Sequence, residues 1–134
     1  MILTEGSLPG TYIVEPERVS DSRGFFARAF CERKFEEHGL AHMVQGNTSF
    51  NHRRGTIRGL HYQAAPHQEA KFVRCTRGAI FDVAVDVRPD SSTYGHWMGV
   101  TLTPENGRAF YVPEGCAHGY LSLEDDSESL YFTS

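Results

Sequence analysis

Hydrophobic and polar positions alternate with a period of two along several short runs of this chain. The clearest run is Ala79–Arg88. One of its faces carries the apolar side chains Phe81, Val83, Val85 and Val87. The opposite face carries Asp82, Ala84, Asp86 and Arg88. This period predicts a β-strand whose two faces differ in polarity.

Nine further runs rich in β-branched or aromatic residues also predict strands. They are Thr11–Val14, Phe25–Phe30, Val44–Phe50, Thr56–Gln63, Lys71–Arg77, Trp97–Leu102, Ala109–Val112, Tyr120–Leu123 and Ser129–Thr133. Turns that contain glycine or proline separate them, for example at 104–107 and 113–115. Short strands with turns between them are typical of an antiparallel sandwich or barrel.

One helix is predicted, at about Glu32 to His38. Charged residues with good helix propensity surround Phe35, which can pack on a core, and Gly39 is suited to end the helix. In a small β-barrel, inward polar side chains from several strands converge in one cavity. The pattern therefore predicts an all-β domain with a polar interior site.

Length and charge narrow the class of protein. The chain has 134 residues, of which 40% are hydrophobic, so it predicts one domain with one core. Thirteen basic against seventeen acidic residues give a net charge of −4, which argues against nucleic-acid binding. No apolar run approaches the roughly 20 residues of a membrane helix. We expect neither a nucleic acid nor a membrane as partner.

The cysteines and the N-terminus bear on location. Cys31, Cys75 and Cys116 are odd in number and widely spaced, which fits neither a disulfide framework nor a Cys-x-x-Cys metal site. The first residues lack the basic start and apolar stretch of a secretion signal. These features predict a protein of the reducing cytoplasm.

Four side chains are candidates for chemistry. His61 and His118 titrate near neutral pH unless their surroundings intervene, so either can move protons. Lys71 begins a predicted strand and can present a fixed positive charge. Tyr131 lies on the last predicted strand and can donate a proton. Each of these residue types alone is more often structural, so the hypothesis depends on their combination.

Seven runs, taken together, resemble the dTDP-4-dehydrorhamnose 3,5-epimerase family, the RmlC-type cupins. In chain order they are Asp21–Phe26, Val44–Ser49, Gly55–Gln63, Lys71, Phe81–Arg88, Ser92–Gly95 and Pro113–Tyr120. The most specific part is Arg58-Gly59-Leu60-His61-Tyr62-Gln63 combined with Ala117-His118-Gly119. The resemblance implies a cupin-type jelly roll.

The resemblance also implies an activity and the residues that perform it. The family inverts carbons 3 and 5 of a 4-keto-6-deoxyhexose carried on dTDP, with no metal and no cofactor. His61 then matches the general base, Lys71 the residue that stabilises the enolate, and Tyr131 the acid. His118 and Asp82 match a supporting pair. Four further positions match residues that hold the nucleotide and phosphates: Arg23, Gln45, Asn47 and Arg58.

The chemistry of the implied reaction is self-consistent. Both carbons flank the keto group, so a base can remove either proton and leave an enolate whose charge sits on O4. A preorganised donor beside that oxygen is typically worth about 3–4 kcal/mol. Inversion requires that the proton return on the other face, so acid and base must be different residues. Arginine suits the phosphate oxygens.

One departure from the family concerns the C-terminus. Family chains continue past the tyrosine through an acidic, Trp-containing segment that supplies an Asp to the base histidine. We therefore expect residues 1–134 to form a single cupin-like domain that lacks this segment. Asp82, Asp86 or Glu69 could replace the missing carboxylate beside His61, which would otherwise lose its orienting partner.

Three alternatives remain open at this stage. The chain could be a mono-epimerase that inverts only one carbon, or a catalytically impaired homologue that binds dTDP-sugars. It could instead be a metal-dependent cupin, because the run Pro113–His118 fits the second cupin motif, and further ligands could come from His61, His67 and Glu69. Against this, Gln63 stands where the His-x-His of the first motif needs its second histidine.

The family resemblance extends to assembly and pathway. A small open β domain tends to cover its edges by pairing with a copy of itself, and the family is dimeric, so we expect a homodimer. The most common use of the family's product is rhamnose for surface polysaccharide.

Overall fold

The computed structural model describes residues 1–134 and consists almost entirely of strands. The strands are β1 Ile2–Glu5, β2 Tyr12–Glu15, β3 Arg18–Asp21, β4 Gly24–Ala27, β5 Gln45–Asn51, β6 Ile57–His61, β7 Lys71–Arg77, β8 Ile80–Asp86, β9 Trp97–Leu102, β10 Ala109–Val112, β11 Cys116–Ser122 and β12 Ser127–Thr133. One helix, α1 Glu32–Glu37, precedes β5. No helix has the length and apolar character needed to cross a bilayer.

Two antiparallel sheets face each other. The larger sheet has the order β1-β2-β10-β7-β12-β5, and the smaller sheet has the order β6-β11-β8-β9. Strands β3 and β4 form a separate hairpin. From β5 onward, sequential strands alternate between the two sheets except for the β8–β9 hairpin, and this is the arrangement of a jelly roll. The predicted all-β, cupin-type jelly roll is confirmed.

The space between the sheets is a hydrophobic core at one end. Val73 on β7, Leu102 on β9 and Phe110 on β10 are fully buried there. A second cluster covers the outer face of the larger sheet, where Phe35 of α1 packs edge-on against Phe72 at a centroid distance of 5.0 Å. The single apolar position in the charged helix therefore fixes it to the sheet, as the sequence predicts.

Strand β8 turns its carboxylates inward. Its buried positions are Ile80, Asp82, Ala84 and Asp86, whereas Phe81, Val83 and Val85 are half-exposed on the outer face. The period-two pattern is therefore confirmed, but the polar face is the interior one. An interior carboxylate needs hydrogen-bond partners, because an unpaired buried charge is strongly unfavourable. Both carboxylates have such partners, described below.

Candidate active site

Two glycines bring the central strands of the site close together. A Cβ atom at Gly59 would lie 2.6 Å from Gly119 Cα, and one at Gly119 would lie 2.5 Å from the Arg58 carbonyl oxygen. Strands β6 and β11 can approach this closely only because neither position carries a side chain. Beside them, His61 and His118 are direct cross-strand partners. Paired residues of an antiparallel ladder share a face, so both imidazoles point into the barrel.

A cavity of about 440 Å³ opens between the two sheets at this point. His61 and His118 line it from the smaller sheet, and Lys71 and Tyr131 line it from the larger sheet. A second cavity of about 280 Å³ shares His61, Lys71 and Tyr131 with the first. These three predicted catalytic residues therefore border both cavities, His61 from one sheet and Lys71 and Tyr131 from the other.

The second cavity contains two of the predicted nucleotide ligands. Gln45 and Asn47 line it from β5, and the Gln45 side-chain amide donates to Asn47 Oδ1 at 2.9 Å. Asn47 is the register partner of Tyr131 in the neighbouring strand. The predicted nucleotide ligands of β5 are thus next to the predicted acid.

His118 is held by a buried carboxylate. Its Nε2 lies 2.8 Å from Asp82 Oδ1, and Asp82 is fully buried. Because an ionised carboxylate only accepts, the Nε2–H donates to Asp82 and fixes the ring orientation. Asp82 Oδ2 has no hydrogen-bond partner. The predicted pairing of these two residues is present in the structure.

Lys71 has a carboxylate partner within the cavity. Its Nζ lies 3.2 Å from Glu69 Oε1, and the two side chains are 11% and 22% exposed. Glu69 lines the second cavity together with His61. The pair keeps an ammonium group in the cavity at a defined position, where it can face a developing negative charge.

Arg58 enters the first cavity with its charge uncancelled by its own contacts. Its Nε donates to Asn51 Oδ1 at 2.6 Å, and its Nη2 donates to the Phe50 carbonyl at 3.1 Å. Both acceptors are neutral. The guanidinium is therefore fixed in direction and still positively charged toward an incoming anion.

Sequence reasoning missed a hydroxyl network behind this arginine. Tyr120 Oη accepts from Asn51 Nδ2 at 3.0 Å and from Ser129 Oγ at 3.3 Å, and it donates to Ser49 Oγ at 2.9 Å. A signal was present, because the residues at alternate positions of β5 are all polar. They are Gln45, Asn47, Ser49 and Asn51. Such a run marks the strand's inner face as a polar wall.

Among the four predicted nucleotide ligands, Arg23 is the one that the structure does not place at either cavity. It lies at the turn of the β3–β4 hairpin, with its side chain 88% exposed and paired with Asp21 at 2.6 Å. The reason is that β3 and β4 pair only with each other and join neither large sheet.

None of the three carboxylates considered as partners for His61 contacts it. Asp82 binds His118, and Glu69 binds Lys71. Asp86 accepts from Arg88, Ser91 and Thr93, and these hydrogen bonds, Arg88 foremost, hold the pKa of its carboxyl well below the usual value. None of the three therefore takes the place of a carboxylate partner for His61 in this structure.

The donors of a metal-dependent cupin are not gathered at one point. No group of three His, Cys, Asp or Glu side chains has an arrangement suited to a metal ion. His118 is engaged with Asp82, and Glu69 is engaged with Lys71. The cavity that the structure does assemble is lined by two imidazoles, a phenol and an ammonium group.

Fold and cavity together define a cupin-type jelly roll with a cavity lined by His, Lys and Tyr side chains between its sheets. The family model for dTDP-4-dehydrorhamnose 3,5-epimerase matches residues 5–134. The chain belongs to this family, which confirms the resemblance drawn from its motifs.

Individual relatives agree with this assignment. The dTDP-4-dehydrorhamnose 3,5-epimerase of Methanothermobacter thermautotrophicus is 52% identical over 121 residues, which cover 90% of this chain and 64% of that protein. The crystal structure of the epimerase from Elizabethkingia anophelis matches with a TM-score of 0.95 and 43% identity, over 99% of this chain and 73% of that one. A Bacillus anthracis epimerase structure with TDP and PPi bound matches with a TM-score of 0.94 and 37% identity, over 98% and 76%. The chain thus spans about two thirds to three quarters of the length of these relatives.

Proposed function

We propose that the protein is an isomerase that inverts C3 and C5 of dTDP-4-dehydro-6-deoxyglucose to give dTDP-4-dehydrorhamnose. One observation carries the proposal: His61 on one sheet and Lys71 and Tyr131 on the other line the same cavity. An inversion needs a base and an acid on opposite faces of the sugar ring, and side chains on facing walls of one cavity support such a pair.

In the proposed reaction, His61 removes the proton from a carbon next to the 4-keto group. The C–H electron pair forms the enolate double bond, and the keto oxygen gains the negative charge. The Lys71 ammonium stabilises that charge. Tyr131 then donates its phenolic proton to the opposite face of the carbon, which restores the ketone. Exchange with solvent returns a proton to Tyr131 and removes one from His61, and the sequence repeats at the second carbon.

The nucleotide half of the substrate requires positive charge and amide groups. Arg58 is proposed to bind the diphosphate, since its guanidinium is oriented by neutral acceptors and borders the cavity. Gln45 and Asn47 are proposed to contact the nucleotide from the adjoining cavity. His118, held by Asp82, is proposed to support the sugar. A contact from Arg23 would have to come from the hairpin outside this cavity.

Relatives support dTDP-sugars as the substrate class and leave the number of inverted carbons to experiment. A Legionella pneumophila relative was solved in complex with dTDP-4-keto-L-rhamnose, and ChmJ of Streptomyces bikiniensis is a 3′-monoepimerase solved with dTDP-quinovose. The decisive experiment is incubation with dTDP-4-keto-6-deoxyglucose in heavy water, followed by NMR. Deuterium at both C3 and C5 supports the proposal. Deuterium at one carbon indicates a mono-epimerase, and none at either indicates a binding protein.

His61→Ala is the matching variant for this assay. Removing the base is expected to lower the rate of deuterium incorporation by about 10²–10⁴-fold, while dTDP affinity stays within about twofold because the imidazole does not hold the phosphates. His67→Ala is the control, since His67 is an exposed histidine on the loop after β6 that lines neither cavity. Unchanged incorporation in His61→Ala would remove the assignment.

We also propose a homodimer. The smaller sheet supports it, because its two edge strands expose large apolar side chains by 54% to 73%: Ile57 and Leu60 on β6, and Trp97 on β9. Strand edges that expose large apolar side chains are typical of sites that pair with another chain. Sedimentation equilibrium tests the proposal, and a monomer at micromolar concentration would contradict it.

A cytoplasmic location is proposed from the state of the thiols. All three cysteines are free, and burial raises the pKa of the Cys75 and Cys116 thiols to about 11. Unpaired thiols, two of them buried and unreactive, are compatible with a reducing compartment.

A further inference from the structure

We propose that Asn51 is a positioning residue for nucleotide binding, because its side-chain amide aims the Arg58 guanidinium at the diphosphate. Asn51 is the last residue of β5 and is 2% exposed, so its side chain is too buried to contact a nucleotide directly. The inference rests on the proposed function, because it takes the diphosphate as the anion that Arg58 meets.

The amide of Asn51 is itself fixed in one orientation. Its Nδ2 donates to Tyr120 Oη at 3.0 Å and to the Ser127 carbonyl at 3.3 Å. Turning the amide over would place its oxygen against the Ser127 carbonyl oxygen and its nitrogen against a guanidinium donor. Asn51 Oδ1 therefore faces Arg58, and it accepts a hydrogen bond from Arg58 Nε at 2.6 Å.

Tyr120 anchors this amide from behind. Its hydroxyl accepts two hydrogen bonds and donates one to Ser49, which uses its full capacity. A satisfied buried network is stiff, because any rotation leaves a polar group unpaired in a low-dielectric interior. The hydrogen bond from Asn51 to Tyr120 thus limits rotation of the Asn51 amide, and the fixed amide limits rotation of the Arg58 guanidinium.

A second arginine shows what is different about Arg58. Arg88 is held just as tightly, but by the buried carboxylate of Asp86 at 2.7 Å. The positive charge of Arg88 is therefore largely neutralised by Asp86. Arg58 is held by an amide and a peptide carbonyl, so its orientation is fixed while its charge and its remaining N–H groups stay available for a phosphate.

The test compares two probes, thymidine and dTDP, by calorimetry on the full chain. Only dTDP carries the diphosphate, so the ratio of the two dissociation constants measures what the phosphates contribute. Asn51→Ala is expected to lower the preference for dTDP about tenfold, because Arg58 loses the acceptor that orients it. Thymidine affinity is expected to change less than about twofold.

Ser129→Ala is the matched control. Ser129 belongs to the same network and is fully buried, but it contacts Tyr120 and not Arg58. Its removal leaves both donor contacts of the Asn51 amide in place, so the preference for dTDP is expected to stay within about twofold. Asn51→Asp tests the need for a neutral acceptor, since it keeps an oxygen opposite Arg58 Nε but adds a negative charge there. It is expected to lower the preference for dTDP at least as far as Asn51→Ala does.

A variant pair shows whether Asn51 acts through Arg58. Arg58→Ala is expected to lower the preference for dTDP at least as far as Asn51→Ala does. Asn51→Ala added to Arg58→Ala is then expected to have no further effect. An additional tenfold loss in the double variant would overturn the proposal, as would an equal loss of thymidine and dTDP affinity in Asn51→Ala.

One measurement needs no variant and separates this inference from the proposed function. In the wild-type protein, the Arg58 Nε–H is expected to exchange with solvent much more slowly than that of Arg33, which is 75% exposed. Equally fast exchange would overturn the positioning role even if dTDP binds tightly. A wild-type protein that does not prefer dTDP over thymidine would overturn the proposed function, and slow Nε–H exchange would then still show that Asn51 holds Arg58.

Discussion

Asp82 and Asp86 occupy the same face of β8 and are both fully buried, but their surroundings differ sharply. Asp86 accepts hydrogen bonds from the Arg88 side chain and backbone, from Ser91 and from Thr93. Asp82 accepts from His118 alone, and its second oxygen has no partner. Asp86, whose hydrogen bonds are complete, holds the loop after β8. Asp82, which has one free oxygen, lies behind the cavity.

Because the two carboxylates are equally buried, the difference in their hydrogen bonds points to different roles, one structural and one functional. A buried ion pair that is complete in hydrogen bonds is costly to break. A buried polar atom left without a partner is unusual in native proteins and is found more often where chemistry occurs. We therefore expect Asp86 to determine stability and Asp82 to determine activity.

The largest effect is expected for Asp86→Ala. It leaves the Arg88 side chain, two hydroxyls and a backbone N–H without their acceptor, so the free energy of unfolding should fall by about 3–5 kcal/mol. Urea denaturation measures this loss. The affinity of the folded protein for dTDP should stay within about twofold. A loss of less than about 1 kcal/mol would erase the distinction between the two carboxylates.

Asp82→Asn should lower turnover and leave stability nearly unchanged, the reverse of Asp86→Ala. The amide keeps the shape of the side chain but can present a donor to His118, so the ring loses its defined orientation. We expect the rate of deuterium incorporation into substrate to fall about 10–100-fold, with less than about 1 kcal/mol lost in the free energy of unfolding. If stability falls and turnover does not, Asp82 is a second structural carboxylate.

The smallest effect is the contribution of Asp86 to acid sensitivity. Its pKa is lowered in the folded state, so its contribution to stability is complete above the unfolded value and is lost as the pH falls. With an unfolded pKa near 3.9, about 1 kcal/mol should disappear between pH 6 and pH 3. In Asp86→Asn this part of the acid limb should be absent. The measurement is thermal or urea unfolding of both proteins across that range, and parallel acid limbs would contradict it.

Much of the fold could be predicted from local pattern. Strands β7, β9 and β10 have the predicted bounds, and α1 ends one residue before the predicted end. β1 and β3 were missed. β3 carries one apolar residue and is exposed along its whole length, so it has no buried face for a period-two pattern to reveal.

The candidate site also contains residues that local sequence predicts and residues that only the tertiary structure reveals. Residues within contiguous motifs, such as His61 and His118, were found from the sequence because their type and neighbours are distinctive. Asn51 was not, because its importance depends on Tyr120 and Arg58, which reach it from two other strands. The placement of Arg23 outside the cavity depends on a hairpin that joins neither sheet, which is tertiary information.

The paired glycines at 59 and 119 have a consequence for how this site can change. The spacing of the two imidazoles depends on backbone contact between β6 and β11, and an added methyl group at either glycine would collide with that backbone. Lining positions such as Ile57 and Ser49 have no such constraint. Selection for a new sugar would therefore remodel the walls while the distance between the strands stays constant, and saturation libraries should return glycine alone at those two positions.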